Sequence, residues 1–388
     1  MMRVLYFMPD NPLKKNSGNK IRALAILKYF KSRGVELDFV SEYSWGEWTI
    51  TDIEEFKSST YASNTFVINR KASKKNLVFY FLFYKLPNFL HRFVLSGISS
   101  NFPDLVTLRL KRAFNNILKA KTYDYVMINY ASWSGLIENN RFINNAVTIL
   151  DTHDFLTAQN QSKNDIGYSF KEEIRRISLF ERAFAISIEE QYIFSQFSTT
   201  PIELVPMMIE RPANDAISLE EKKYDIIYVA SKNPHNIDAL NWFLIHVYPL
   251  LPNSLNICFI GQITAYVNDS YKNITKIRFV EDLNIYYKQA KIAICPMLSG
   301  TGIKIKVIEA LSYNLPVVCN RRGIDGLINK LNNGCLVSDD PVEFAGHIST
   351  LLTNSIEYNK QASQAKDTFD ASYELNTCYK KLDKIFKL

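Results

Sequence analysis

Residues 295–320 read CPMLSGTGIKIKVIEALSYNLPVVCN. An apolar run ends at Pro296, a short loop holds Gly300 and Gly302, an amphipathic stretch follows over 303–313, and Pro316 opens another apolar run. That order predicts strand, glycine loop, helix, strand, the unit of a parallel sheet. Glycines at a strand end let backbone N–H groups approach an anion, and a helix start adds partial positive charge. Thr301 is placed to cap that helix, and Lys304 and Lys306 can add full charges. Lys306 and Glu309, three apart, share a helix face, whereas Lys304 lies about 200° away, so one lysine points with Glu309. A carboxylate there can accept hydrogen bonds from both hydroxyls of a ribose, each worth about 1.5–3 kcal/mol. The alternative is a surface Lys–Glu pair worth about 0.3–0.5 kcal/mol.

The same grammar extends outward. In the second half apolar strand-like runs at 225–230, 255–261, 276–280, 292–296, 316–319 and 334–337 alternate with helical runs at 237–247, 285–290 and 303–313, and helices at 342–352, 356–369 and 375–386 follow. The first half opens with a strand at 3–7, a loop with Pro9, Pro12 and Gly18, a helix at 21–30 stopped by Gly34, and a strand at 35–40; strands at 125–129, 147–150, 184–188 and 202–205 continue it. Two domains suit 388 residues. The expected division is a first α/β domain over 1–210, a polar linker RPANDAISLEEKK over 211–223, and a second over 224–371, with the terminal segment 372–388 packing back on the first.

Composition narrows the class. With 47% apolar and 22% charged residues the chain is an ordinary globule, neither disordered nor a disulfide scaffold. The five cysteines (258, 295, 319, 335, 378) are odd in number and without C-x-x-C spacing, and read as reduced core residues. No run of eighteen apolar residues and no cationic leader is present, so a cytoplasmic protein without a span is expected. Histidine spacing predicts no metal, and Asp151 and Asp154 form D-x-x-D rather than D-x-D. The net charge of +7 is uneven: Lys71, Lys74, Lys75, Lys85, Arg92, Arg109, Lys111, Arg112, Lys119 and Lys121 share a stretch with one acid, Asp104, and with Phe79, Tyr80, Phe81, Phe83, Tyr84, Phe89 and Phe93. Such a block suits either an anionic membrane surface or core helices with solvated basic faces. It lacks any nucleic-acid motif.

Ligands of an open parallel sheet bind beyond the carboxyl ends of its strands, which directs attention to three more loops. VASKNPHN at 229–236 offers Ser231 and Lys232; SGNKIR at 17–22 offers Gly18; and ILDTHDFLTAQN at 149–160 gathers Asp151, His153 and Asp154 at one strand end, where ionisable neighbours perturb one another. Helix capping by Asp151, Thr152 or Asp154 is the competing reading. No G-x-G-x-x-G occurs, which disfavours a dinucleotide dehydrogenase.

GTGIKIKVIEALSYNLPVV resembles the donor-site signature of the retaining glycosyltransferases of the GT-B fold, the large family four, also called glycosyl transferases group 1. VASKNPHNIDALNWFLIHVYPLLP is similar to that family's first strand and helix of the second domain, and the likeness runs from SGNKIR to DPVEFAGHISTLL. The resemblance implies an α/β architecture of two Rossmann-like domains facing across a cleft, and transfer from a UDP- or GDP-linked sugar, as co-substrate rather than cofactor, to a glycan or lipid-linked acceptor with retention and without a metal. It implies that Glu309 holds the ribose, that Gly300, Thr301, Gly302 and Ile303 meet the sugar or its phosphates, that Ser231 and Lys232 stand at the usual pyrophosphate cation with Lys304 able to take that role, that Gly18 approaches the donor phosphate, and that His153 and Asp154 contact the sugar or orient the acceptor. Many members have two glutamates eight positions apart, and here the earlier one is Thr301. A nucleotide-sugar epimerase of the same fold and a non-catalytic glycan-binding scaffold are the alternatives.

Overall fold

The computed structural model describes residues 1–15, 17–91, 102–159, 165–213 and 218–388; Arg92, Phe93, Asn160 and the middle of the expected linker lie outside them. Contacts divide the chain into Met1–Val205 with Leu388, and Pro206–Lys387. Arg211, at the head of the expected linker, bonds within the second unit to the Ser312 carbonyl and Asn314 and pairs with Asp370, and Leu375–Phe386 is grouped with that unit.

The first unit is one parallel sheet of seven strands: β1 (Arg3–Phe7), β2 (Glu36–Glu42), β3 (Asn64–Ile68), β4 (Tyr125–Asn129), β5 (Val147–Asp151), β6 (Arg182–Ala185) and β7 (Ile202–Leu204), in spatial order β3-β2-β1-β4-β5-β6-β7. The second is a parallel sheet of six: β8 (Tyr224–Val229), β9 (Ile257–Ile260), β10 (Ile274–Ile277), β11 (Ala290–Cys295), β12 (Val317–Cys319) and β13 (Cys335–Val337), in order β10-β9-β8-β11-β12-β13. Both follow the doubly wound order, in which the direction of winding reverses between the first and fourth strands. Strands buried on both faces read as unbroken apolar runs, which is why β1, β4, β8, β9 and β11 stand out in the sequence. β3 does not: NTFVI is a half-buried edge strand with a polar start, and no strand is expected there from apolarity alone. Cys258, Cys295 and Cys319 sit buried on β9, β11 and β12, and all five cysteines are free.

Helices α1 (Gly18–Ser32), α2 (Ile50–Ser58), α3 (Leu108–Ala120), α4 (Ile166–Ile177) and α5 (Ile188–Phe197) belong to the first unit, and α6 (Pro234–Trp242), α7 (Ile305–Ser312), α8 (Pro341–Thr353), α9 (Ser355–Ser372) and α10 (Leu375–Phe386) to the second. The stretch expected as a fifth strand at 184–188 ends earlier: β6 stops at Ala185, and Ser187 caps α5 through the Glu190 N–H.

One buried ion pair organises the first sheet. The Arg22 guanidinium on α1 donates to both carboxylate oxygens of Asp151 at the end of β5 (2.8–3.1 Å) and to the Val205 carbonyl (2.6 Å). Both side chains are at most 1% exposed. A helix-capping role for Asp151 is thereby corrected: the carboxylate is taken by Arg22, and the pair ties α1 to β5 and to the end of β7. Removing one partner of such a pair leaves a buried charge uncompensated, costing about 3–5 kcal/mol. Arg22→Ala is therefore expected to lower the free energy of unfolding measured in urea by about 3–5 kcal/mol, whereas an unchanged midpoint would mean that the pair contributes nothing.

Candidate donor-binding site

β8 and β11 are neighbours at the reversal point of the second sheet, so the loops leaving their carboxyl ends lie side by side. The β11 loop turns through Gly300 (φ +93) and Gly302 (φ +72), both in the left-handed region where a side chain is strained. A Cβ on Gly300 would also sit about 3.4 Å from the His235 ring, whose Nδ1 is 2.7 Å from the Ser299 Oγ.

The helix does not begin at Ile303 with Thr301 as its cap. α7 starts at Ile305, the N-cap position is Lys304, and no side chain caps it. The correction follows from the second glycine: a left-handed Gly302 cannot continue into a helix, so the turn closes two residues later. Thr301 is exposed and Ile303 half-buried at the bend. Lys304 curls back, its ammonium 2.8 Å from the Gly302 carbonyl and 3.3–3.4 Å from those of Gly300 and Thr301. With those carbonyls tied inward by Lys304, the loop carries positive charge on its inner side.

The lysines diverge as the helical angle requires. Lys306 donates to Asn236 Oδ1 (2.7 Å), its ammonium 5.0 Å from the Tyr228 ring centre; burial holds its pKa below the usual lysine range. Asn236 is itself fixed, its amide donating to the Ser231 carbonyl (2.9 Å) and its N–H to Asn233 Oδ1 (2.9 Å). Ser231 and Lys232 are exposed, and the Lys232 ammonium stands 5.5 Å from the Tyr266 ring centre. The cation bonded to the β8 loop is thus the half-buried Lys306, supplied from α7.

One turn along, Glu309 accepts a hydrogen bond from the Tyr287 hydroxyl (3.3 Å), and Tyr287 stacks on Tyr313 at 4.9 Å. Burial pushes the Glu309 carboxyl up to about 7, against the pull of Tyr287 and Lys306. Glu309 lines a cavity of about 550 Å³ together with Arg211, Asn284, Tyr287, Ser312 and Tyr313. The cavity wall is mixed, with Glu210, Asp282, Arg211 and Lys288 also on it, and Glu309 with the Tyr287 phenol beside it is placed to accept hydroxyl hydrogens. Sequence reading missed Asn236, Tyr287 and Tyr313. Asn236 lay in a quoted motif with no charge to mark it, and the tyrosines are ordinary members of a chain with 22 of them.

In the first unit Gly18 is the first residue of α1, with helical backbone, after Ser17. His153 is 3% exposed, has φ +60, stacks on Tyr130 (4.5 Å), and has Nε2 at 2.6 Å from Asn129 Oδ1 and 3.5 Å from Asp151 Oδ2. Burial lowers its pKa to about 4, so the imidazole is neutral at pH 7. Beside it Asp154 is raised to about 6 and Glu190 to about 8, each by burial, and Glu173 receives the Leu156 and Thr157 N–H groups (2.8 Å each). Capping of the short turn Leu156–Gln159 therefore falls to Glu173 rather than to Asp154.

Comparison with known proteins agrees with this layout. The model of the family described as Glycosyl transferases group 1 matches residues 223–354, the stretch holding both loops and Glu309. A Klebsiella pneumoniae protein described as an uncharacterized 44.6 kDa protein in cps region is 22% identical over 401 residues, covering 95% of this chain and 93% of its own. Among solved structures, sucrose-phosphate synthase from Thermosynechococcus elongatus superposes with a TM-score of 0.71 at 13% identity, covering 100% of this chain and 98% of that one. Anabaena Alr3699/HepE in complex with UDP-glucose does so with a TM-score of 0.66 at 13% identity, covering 100% of both. The second unit thus matches the Glycosyl transferases group 1 model, and the two parallel sheets are those of the GT-B fold.

Proposed function

We propose that the protein transfers a sugar from a nucleoside diphosphate sugar, UDP- or GDP-linked, to a glycan or lipid-linked glycan, with retention and without a metal. The observation that carries this reading is Glu309, a carboxylate held in a cavity of about 550 Å³ one turn beyond a glycine loop and the half-buried Lys306. Ribose hydroxyls donate to Glu309, and the diphosphate lies against the N–H groups of 300–303 and the start of α7, near Lys306. These fixed donors stabilise the charge that grows on the leaving phosphate as the glycosidic bond breaks, a contribution that usually dominates such sites. Ser231 and Lys232 rim the β8 loop as further phosphate contacts, and Lys304 holds the loop's shape. In the first unit Gly18, His153 and Asp154 are the groups offered to the sugar or acceptor, a neutral imidazole and a carboxyl of raised pKa being suited to hydroxyl hydrogen bonds. A UDP-linked donor is supported by the Anabaena Alr3699/HepE structure in complex with UDP-glucose.

Glu309→Ala is expected to weaken UDP-glucose at least about tenfold by calorimetry, on the scale of a charged hydrogen bond; full affinity in that variant would remove the ribose contact from the account.

The raised carboxyl gives a pH signature. Only the ionised form accepts both hydroxyl hydrogens, so affinity should fall as pH drops below about 7, approaching tenfold per unit. Stability has the opposite sign. Between the ordinary value of 4.5 and about 7 the folded protein keeps a proton that the unfolded chain has lost, so folding weakens as pH rises through that window. Glu309→Gln is expected to raise stability at about pH 8 by about 1–3 kcal/mol while losing nucleotide; a variant less stable than the parent there would contradict this.

Product analysis by proton NMR should show the donor's anomeric configuration retained, with the rate unchanged by chelator. An inverted product, a chelator-sensitive rate, epimer formation without acceptor, or no release of nucleotide from any donor would each defeat the corresponding part of the proposal.

A further inference from the structure

The stretch after β3 is helical from residue 77 to 89, through Leu77–Tyr80, the wider turn Phe81–Lys85 and Leu86–Phe89, and its amphipathicity is inverted. Tyr80, Tyr84 and Asn88, four residues apart, form the inner stripe: Asn88 accepts the Leu108 N–H at 2.8 Å, and burial raises the Tyr84 pKa. The outer face is apolar. Leu77, Val78, Phe79, Phe81, Leu82, Phe83, Leu86, Phe89 and Leu90 are all at least 36% exposed, Leu77 reaching 70% and Phe83 67%. A soluble helix turns its apolar side inward, so an outward one of this extent marks an interaction surface.

The geometry points to an anionic lipid surface as its occupant, the apolar face of 77–90 entering the headgroup boundary and the lysines around it pairing with lipid phosphates. Charge decides among possible partners. Lys71, Lys74, Lys75 and Lys85 are exposed around the face, and residues 56–103 contain no Asp or Glu. The Lys74 and Lys85 ammoniums stand 5.8 and 6.0 Å from the Tyr80 and Phe81 ring centres, a pairing of cations with aromatics that suits a membrane boundary. A second copy packed face to face across a two-fold axis would oppose the same lysines to each other with no carboxylate from this segment between them. The amphipathic helix lies on the surface rather than across it, and among the described residues no helix is long and apolar enough to cross a membrane. β3 is parallel to β5, so this helix leaves the same end of the first sheet as the turn carrying His153 and Asp154. A bilayer held there presents a lipid-linked substrate at that end.

Co-sedimentation of the full chain with vesicles tests this, using phosphatidylcholine alone and phosphatidylcholine with about one third phosphatidylglycerol. The chain is expected to bind the anionic vesicles and to bind the neutral ones at least about tenfold more weakly. Phe79→Asp with Phe83→Asp, at a stacked and exposed pair, should cut anionic binding by at least about tenfold while the circular dichroism spectrum and Tm stay those of the parent. Lys74→Glu with Lys85→Glu should abolish the preference for anionic lipid. Equal binding to both vesicles, undiminished binding by the double Phe variant, or a dimer in ultracentrifugation that the same variant dissolves while vesicle binding is absent would overturn the assignment.

Discussion

A lysine ammonium bonded to an asparagine carbonyl holds the second unit's site together. Lys306 comes from α7 and Asn236 from the first turn of α6, so their 2.7 Å bond joins the two loops that flank the reversal point of the sheet. Burial alone would favour loss of the proton, and the bond to Asn236, itself locked by the Ser231 carbonyl and Asn233, is what the charged form receives in return. With Lys306 fixed, the phase of α7 is fixed, and Glu309 is turned one turn along toward Tyr287 and the cavity. The glycine loop ahead of α7 is shaped from within by Lys304. On the proposed reading a phosphate-sized charge and a ribose-sized diol would meet preset partners, which is what electrostatic preorganisation requires.

The first unit uses a different device. Its sheet end is built round Arg22 and Asp151, a pair with almost no exposure. Next to that pair His153 is kept neutral, its ring stacked on Tyr130 and fixed by Asn129. Both Tyr130 and His153 have positive φ, backbone strain of the kind that persists where surrounding structure over-determines a position. Asp154, Glu173 and Glu190 then share a confined space, and burial raises each of their pKa values. A turn with a neutral ring and carboxyls of raised pKa is suited to hydrogen bonds with hydroxyl-rich ligands, since it opposes no strong fixed charge to them.

Much of this was legible in the residues, for identifiable reasons. Strands buried on both faces write unbroken apolar runs, and β4 and α10 fall where the pattern puts them, at Tyr125–Asn129 and Leu375–Phe386. The edge strand β3 left no such mark because half of it faces outward. The start of α7 shifted because the reading weighed Thr301 as a cap without the left-handed turn of Gly302, which is a backbone property. Arg22 and Asp151 were both in quoted motifs, yet 129 residues separate them, and no local spacing encodes a pair closed only by the fold. Likewise the inward stripe of Tyr80, Tyr84 and Asn88 has helical spacing, but only the fold decides which face is turned outward.

The central claim is that the ribose of the donor is clasped by Glu309 beside the Lys306–Asn236 bond. A crystal structure with UDP bound tests it most directly. The expected result is both ribose hydroxyls within hydrogen-bond distance of the Glu309 carboxylate and the diphosphate against the turn at 300–303. Density for the nucleotide at any other place on the second unit, or a ribose turned away from an undisturbed Glu309–Tyr287 contact, would contradict the account.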